Sequence, residues 1–225
     1  MGLLEIIRSE STKSREDSSD DAVLDPSFAN ALRFTASTHD PLNRNMTQIE
    51  DGLSYKIKSK SIVPFFGSDI TTISRNDGER EIEIAKIDWR HYEDDRSEIR
   101  YAKTGEMMKL WEYLKGTRTL QFELPTKRTF RVEDKEYTWT WAHSPGGSYF
   151  ELVDTHDTKL ARDTREKGGF LIPYTRSGDL LINPEALDIL DEIIVTHTAL
   201  AQIERMRNAA RRDAGAAAVN QTLKF

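Results

Sequence analysis

Residues Ile193 to Ile203 read IIVTHTALAQI and carry no charge, inside a terminal helix opened by Asn183-Pro184-Glu185-Ala186. A helix that is apolar nearly all round has no face to give to water and must be enclosed. Leu32 to Asn183 reads as short strands and tight turns, so a sheet is what is at hand to enclose it. The chain is therefore expected to be mainly β, with about a dozen short antiparallel strands around a C-terminal hydrophobic helix. A closed barrel or a strongly curled sheet would satisfy that demand, and the closed barrel is the expectation carried forward.

The strand reading rests on a period of two. NMTQIED and LSYKIKSK flank Asp51-Gly52, and DITTISR and REIEIAKIDW flank Asn76-Asp77-Gly78. Both junctions are hairpin signals. In the second pair the alternation slips at Ala85-Lys86, which predicts a bulge. RTFRVE and KEYTWTWA form another hairpin, with Tyr137, Trp139 and Trp141 on one face as core aromatics. YFELVD and KLARDTRE flank a turn at His156-Asp157, and TLQFEL, GGFLIPYT and DLLIN read as further strands. Met107, Leu110, Trp111 and Leu114 fall at helical spacing, which predicts one short extra helix near 106–114.

The terminal helix is expected over 184–212. Pro184 suits its first turn, Glu185 and Asp188 its positive end, and Arg205, Arg207, Arg211 and Arg212 its negative end. Residues 28–212 then form one domain, followed by an alanine-rich tail, 213–225. Residues 1–27 form an acidic, serine-rich arm that sets Arg8, Lys13 and Arg15 against Glu5, Glu10, Glu16, Asp17, Asp20, Asp21 and Asp25. Lacking aromatic residues over 9–22, the arm cannot offset its ordering entropy by burial and is expected to be flexible. Its serines before Asp20 and Asp21 suit acidophilic kinases or serve only solubility.

Several function classes are excluded. A net charge of −6 argues against non-specific nucleic-acid binding. Without cysteine there is no disulfide, thiolate metal site or cysteine nucleophile, and a cytoplasmic location is favoured. MGLLEIIRSE is too short in its apolar run for a signal peptide, and Ile6 stands where a myristoylation motif wants Ser or Thr. No stretch approaches the roughly 20 apolar residues that cross a bilayer. Neither a nucleophile elbow nor a phosphate or dinucleotide loop is present, and the histidines show no ligand spacing. No catalytic residue, metal site or cofactor is therefore assigned.

ITTISRNDGEREIEIAKIDWR, KEYTWTW, FELVDTHDTKLARDTRE and LLINPEALDILDEIIVTHTAL occur in that order. Together they resemble a large family of mushroom-forming fungi built on one domain of unknown function. The resemblance covers Leu32 to Arg207. It implies the tubby C-terminal-like, LURP-one-like fold, a closed barrel threaded by a C-terminal hydrophobic helix. It brings no catalytic motif. The wider superfamily includes phosphoinositide-binding domains and lipid scramblases, but fold does not transmit function.

The residues that carry a functional reading are two basic clusters. Lys56, Lys58 and Lys60 alternate along one strand, and Arg205 and Arg207 sit on the helix. Both are read as solvated faces or, functionally, as an anionic headgroup site. Asp191-Glu192 lie in the enclosed helix and need partners, as a mouth salt bridge or an acid pair. His197 is read as a core histidine with a hydrogen-bond partner. The expected function is a non-enzymatic binding or structural module, with a protein partner or self-association. The alternatives are a peripheral protein binding phosphoinositide-like anionic lipid and a hydrolase using barrel-mouth carboxylates.

Overall fold

A computed structural model describes residues 25–38, 40–48, 50, 52–63, 68–90, 96–116, 127–144, 147–164 and 179–222. The strands expected from TLQFEL and GGFLIPYT, and the acidic arm up to residue 24, lie outside the described residues.

The described strands are β1 (Leu32–Ala36), β2 (Asn43–Gln48), β3 (Ser54–Val63), β4 (Ser68–Asn76), β5 (Glu81–Arg90), β6 (Glu98–Tyr101) and β7 (Met107–Lys109). After the helical turn α1 (Leu110–Tyr113) come β8 (Lys115–Gly116), β9 (Lys127–Val132), β10 (Lys135–Ser144), β11 (Gly147–Val153), β12 (Lys159–Asp163) and β13 (Leu180–Ile182). A 3-10 helix, Pro184–Ile189, leads into the long helix α2 (Leu190–Thr222).

The described strands all join one 13-stranded sheet in the order β7-β6-β5-β4-β3-β2-β1-β13-β12-β11-β10-β9-β8. Hairpins form where the turn residues predict them. Gly52 and Gly78 hold φ of 68° and 95°, which glycine adopts without steric cost. In the second hairpin Asp77 Oδ1 also accepts from the Glu79 and Arg80 amides. The β4–β5 register shifts between Ile73 and Ser74, opposite Ala85 and Glu83, so the bulged residue is Ile84, one position before the predicted slip.

The sheet rolls around α2. Ile193, Ile194, Val195, Ala199, Leu200 and Ile203 are all at most 4% exposed and join one core with Phe34, Tyr55, Ile73, Trp89, Trp139 and Leu152. Side chains from both halves of the sheet reach the helix: Tyr55 from β3 bonds Asp191, and Trp139 from β10 donates to Thr196 Oγ1 at 2.9 Å.

The expected closed barrel is not what forms. Among the described residues β7 and β8 end the sheet, and no ladder joins them. The physical reason lies in the parity of the strands. Every ladder among the described residues is antiparallel, so the first and last of the 13 described strands point the same way and a ladder closing them would have to be parallel. Parallel neighbours need a crossover of about a dozen residues or more, whereas only the Leu110–Tyr113 turn and Leu114 separate β7 from β8. The seam is bridged by side chains instead. Tyr113 of α1 packs on Tyr101 of β6 at 5.6 Å and on Phe130 of β9 at 6.2 Å between ring centroids. The Arg128 guanidinium also donates to the Leu114 carbonyl.

The short helix expected near 106–114 is corrected by the same observation. Met107–Lys109 pairs with β6, and only Leu110–Tyr113 is helical, with Trp111 42% exposed. The C-terminal helix begins as 3-10 at Pro184 and continues to Thr222, past the arginines where its end was expected. The last residues before β1 are docked. Asp25 caps the Pro26–Phe28 turn and reaches Lys159 at 3.0 Å and Arg162 at 2.6 Å, while Phe28 covers the Arg162 guanidinium.

Candidate functional site: a lysine groove outside the rolled sheet

Alternation along β3 buries Tyr55 and Ile57 and turns Lys56, Lys58 and Lys60 outward. Their cross-strand partners on β4 are Ser74, Thr72 and Ile70. These residues, with Glu81 of β5, line a groove of about 590 Å³. Lys56 Nζ lies 2.8 Å from Glu81 Oε2, and that hydrogen bond is the main reason the Glu81 carboxyl sits below its ordinary range. Lys58 and Lys60 have no salt-bridge partner among the described residues and are exposed. The groove thus offers two uncommitted ammonium groups, with hydroxyls between them and one apolar side chain at its end.

The structure sets the two basic clusters apart, on different clefts. Arg205 is exposed and bonds Asp40 Oδ1 at 2.6 Å. It lines a second cleft between the helix and β2–β4, which shares only Ser59 with the lysine groove. Arg207 is half-buried and lines neither.

The enclosed polar groups of the helix are paired with the sheet. Asp191 accepts from Tyr55 Oη at 2.6 Å and from Arg75 at 2.8 and 2.9 Å. Burial, then the bond to Asp191, raises the Tyr55 phenol, so it stays a donor. Glu192 is half-buried, and burial followed by the Asp191 charge raises its carboxyl. The two neighbours therefore do different things: Asp191 is bound on its side to β3 and β4, and Glu192 is the carboxyl that burial makes harder to ionise. His197 is 2% exposed, as expected of a core histidine. Its Nδ1 meets Arg44 at 3.3 Å, and its Nε2 lies 3.5 Å from Asp163 Oδ2. Sequence reading missed Arg44 and Asp163. The available signal was parity, since Arg44 alternates in step with buried Met46 and Gln48.

Near the start of the helix a cleft of about 600 Å³ is lined by Glu133, Glu136, Asp154, Glu185 and Asp188 together with Lys135 and His156. Among the described residues no group of three or more His, Asp or Glu side chains is placed to hold a metal ion, and no helix is long and apolar enough to cross a membrane.

Comparison with known proteins gives one result. No curated protein and no solved structure matches the sequence. The profile of the family of unknown function DUF6593 matches residues 39–206, and the chain belongs to that family.

Proposed function

We propose that this protein is a non-enzymatic binding module whose rolled sheet is scaffold and whose outer β3–β4 face takes an anionic group. The observation that carries this reading is the pair of exposed ammonium groups, Lys58 and Lys60, which have no salt bridge among the described residues, in a groove beside Lys56. The interior supports it too, because the space inside the sheet is filled by a helix with Ile193, Ile194 and Val195 at 0% exposure.

Ammonium-bearing residues two apart on a strand stand about 7 Å apart by strand rise. That spacing suits several phosphate or carboxylate groups presented side by side, as on an anionic bilayer surface. Each lysine contributes about 1 kcal/mol near such a surface. Glu81 competes for Lys56, so the groove is strongest at its Lys58–Lys60 end. The same proposal takes the helix-threaded sheet as tubby-like, the source as fungal and the location as cytoplasmic. The sheet rolled around a C-terminal helix supports the first of these and the lack of cysteine the last.

Vesicles containing phosphoinositide or phosphatidylserine test it at low salt. Wild-type protein is expected to sediment with them. Replacing Lys56, Lys58 and Lys60 by Gln is expected to weaken binding on the order of a hundredfold, and salt should mimic the loss by screening. If wild-type protein ignores such vesicles in low salt, the lipid-facing reading is wrong.

A further inference from the structure

Opposite in charge to the lysine groove is the cleft near the start of the helix, about 600 Å³ in volume. Three connections build its walls. The β9–β10 hairpin brings Glu133 and Glu136, the β11–β12 turn brings Asp154, and the 3-10 helix brings Glu185 and Asp188. Two of these acids are committed inside the protein. Glu136 pairs with Arg131 at 3.2 Å, and Asp154 Oδ1 accepts from the amides of His156 and Thr158, each at 2.8 Å. Glu133, Glu185 and Asp188 are exposed, and their side chains have no ion pair or hydrogen bond among the described residues. Lys135, also exposed on the rim, forms no salt bridge with any of them.

Exposed carboxylates alone make a solvated surface; Tyr137 gives this one a built floor. It is 7% exposed, and its ring stacks on Phe130 at 5.5 Å between centroids. Its hydroxyl has no hydrogen-bond partner among the described residues, although buried polar groups nearly always find one. Tyr137 lines the cleft, and after burial the charges that most raise its phenol are those of Asp154, Asp188 and Glu133, one from each wall. The hydroxyl is therefore set among the three walls, where an occupant of the cleft supplies the missing bond. Val132, Leu160 and Ile189 complete the floor with hydrocarbon.

The spread of the acids selects the kind of cation. A metal ion needs oxygen ligands converging on one point, and among the described residues no three carboxylate or imidazole groups converge in that way. An extended organic cation needs no convergence. We propose that this cleft binds a linear alkyl polyamine, in which methylene chains join two or more ammonium groups. Its ammonium groups meet Glu133 on the hairpin side and Glu185 or Asp188 on the helix side. Its methylenes lie on Val132, Leu160 and Ile189, and one N–H donates to Tyr137 Oη. A monoamine can satisfy one wall at a time. The site shares no residue with the lysine groove and does not depend on what that groove binds.

The test is calorimetric titration of the full chain in low salt with spermidine, 1,4-diaminobutane, butylamine and magnesium chloride. Spermidine is expected to bind most tightly. Butylamine should bind roughly tenfold or more weakly, because it forgoes charge contacts on the other wall, and equimolar magnesium should displace little spermidine. Tyr137→Phe keeps the ring and its stack, so it should melt with wild type, yet its spermidine affinity should fall about fivefold or more, the scale of one hydrogen bond. Glu133→Gln with Asp188→Asn should lose about tenfold or more. Glu79→Gln with Glu106→Gln makes the same change in charge at exposed acids outside the cleft and should bind as wild type does. The proposal is overturned if spermidine does not bind at about 5 millimolar, several times a millimolar dissociation constant. It is overturned too if the Glu79 and Glu106 substitutions cost as much affinity as those at Glu133 and Asp188, which would assign binding to overall charge. Equal spermidine binding by Tyr137→Phe and wild type, or equal binding of butylamine and spermidine, also overturns it.

Discussion

Ile194 gives the sharpest test of a helix enclosed by a sheet. It is 0% exposed and sits in the main core. Ile194→Ala removes a methylene and two methyl groups. At about 0.8 kcal/mol per buried carbon the lost transfer energy is about 2.4 kcal/mol. A residual cavity of roughly 70 Å³ at about 24 cal/mol per Å³ adds about 1.7 kcal/mol. The expected cost is thus about 4 kcal/mol, or a melting temperature lower by roughly 8–16 °C for a domain of this size. Leu187 is the control, because it lies one turn before α2 and is 44% exposed. Leu187→Ala should cost about 1 kcal/mol or less. Urea titration of both variants, with equal slopes, reads the difference directly. If the two substitutions cost the same, the helix is not enclosed and the argument from its uncharged centre fails.

Trp139→Phe should cost about 1–2 kcal/mol in the same titration, because it removes the indole donor to Thr196 and leaves unfilled volume. Asp25→Asn should cost about 2 kcal/mol at neutral pH, because it removes a charge that Lys159 and Arg162 face. Burial opposes the Asp25 charge, but hydrogen bonds from Ser27 and Lys159 and the Arg162 charge outweigh it and hold the carboxyl well below its ordinary range. A depressed folded-state value gives stability that is present above the unfolded value, about pH 4, and is lost as pH falls below it. Wild type should therefore lose more stability than Asp25→Asn between pH 4 and pH 2, measured by melting temperature. Glu192 runs the other way: its raised carboxyl makes ionisation unfavourable in the folded chain, so stability falls as pH climbs above the unfolded Glu range. Glu192→Gln should raise the melting temperature at pH 7 and leave it unchanged at pH 3. Deleting residues 1–24 should shift the melting temperature little, whereas deleting 1–28 should lower it by several degrees, because only the longer cut removes Asp25 and the buried Phe28.

Much of this fold is legible in the sequence because its signals are local. Gly52 and Gly78 occupy positive φ, and the lysine stripe is a period-two pattern, so both can be read without knowing the neighbours. The features that were missed are non-local. Whether the sheet closes depends on the total number of strands and the direction of the last one, which no segment carries alone. Met107, Leu110, Trp111 and Leu114 fit a helical face, yet pairing to β6 pulls Met107 into a strand and leaves Trp111 partly in water. Arg205 looks like a helix-end cation until the chain brings Asp40 to it from 165 residues away. The same distance hides the two-cleft layout, because the sequence places Lys56 and Arg205 by charge and the fold places them by strand face.

The polar residues of α2 answer a problem that its apolar centre creates. A helix greasy on every side can sit in a greasy channel at many rotations and heights, since hydrophobic contact is non-directional. Hydrogen bonds and ion pairs are directional, and here they come from different strands and, for Arg205, from the connection before β2. Asp191 is held by Tyr55 and Arg75, Thr196 by Trp139, His197 between Arg44 and Asp163, and Arg205 by Asp40. A slip of one residue turns the helix by about 100° and moves it about 1.5 Å, which would break every one of these pairings together. His197 adds a chemical constraint. Arginine has no acceptor, so Arg44 can meet Nδ1 favourably only when that nitrogen is unprotonated, and the ring proton of the neutral imidazole then sits on Nε2, toward Asp163. A neutral ring is thereby directed to one tautomer, between Arg44 of β2 and Asp163 of β12. Those two strands lie on opposite sides of β1 and β13 in the sheet, so the pairing fixes the helix against the sheet and also sets the curvature that brings both strands to it.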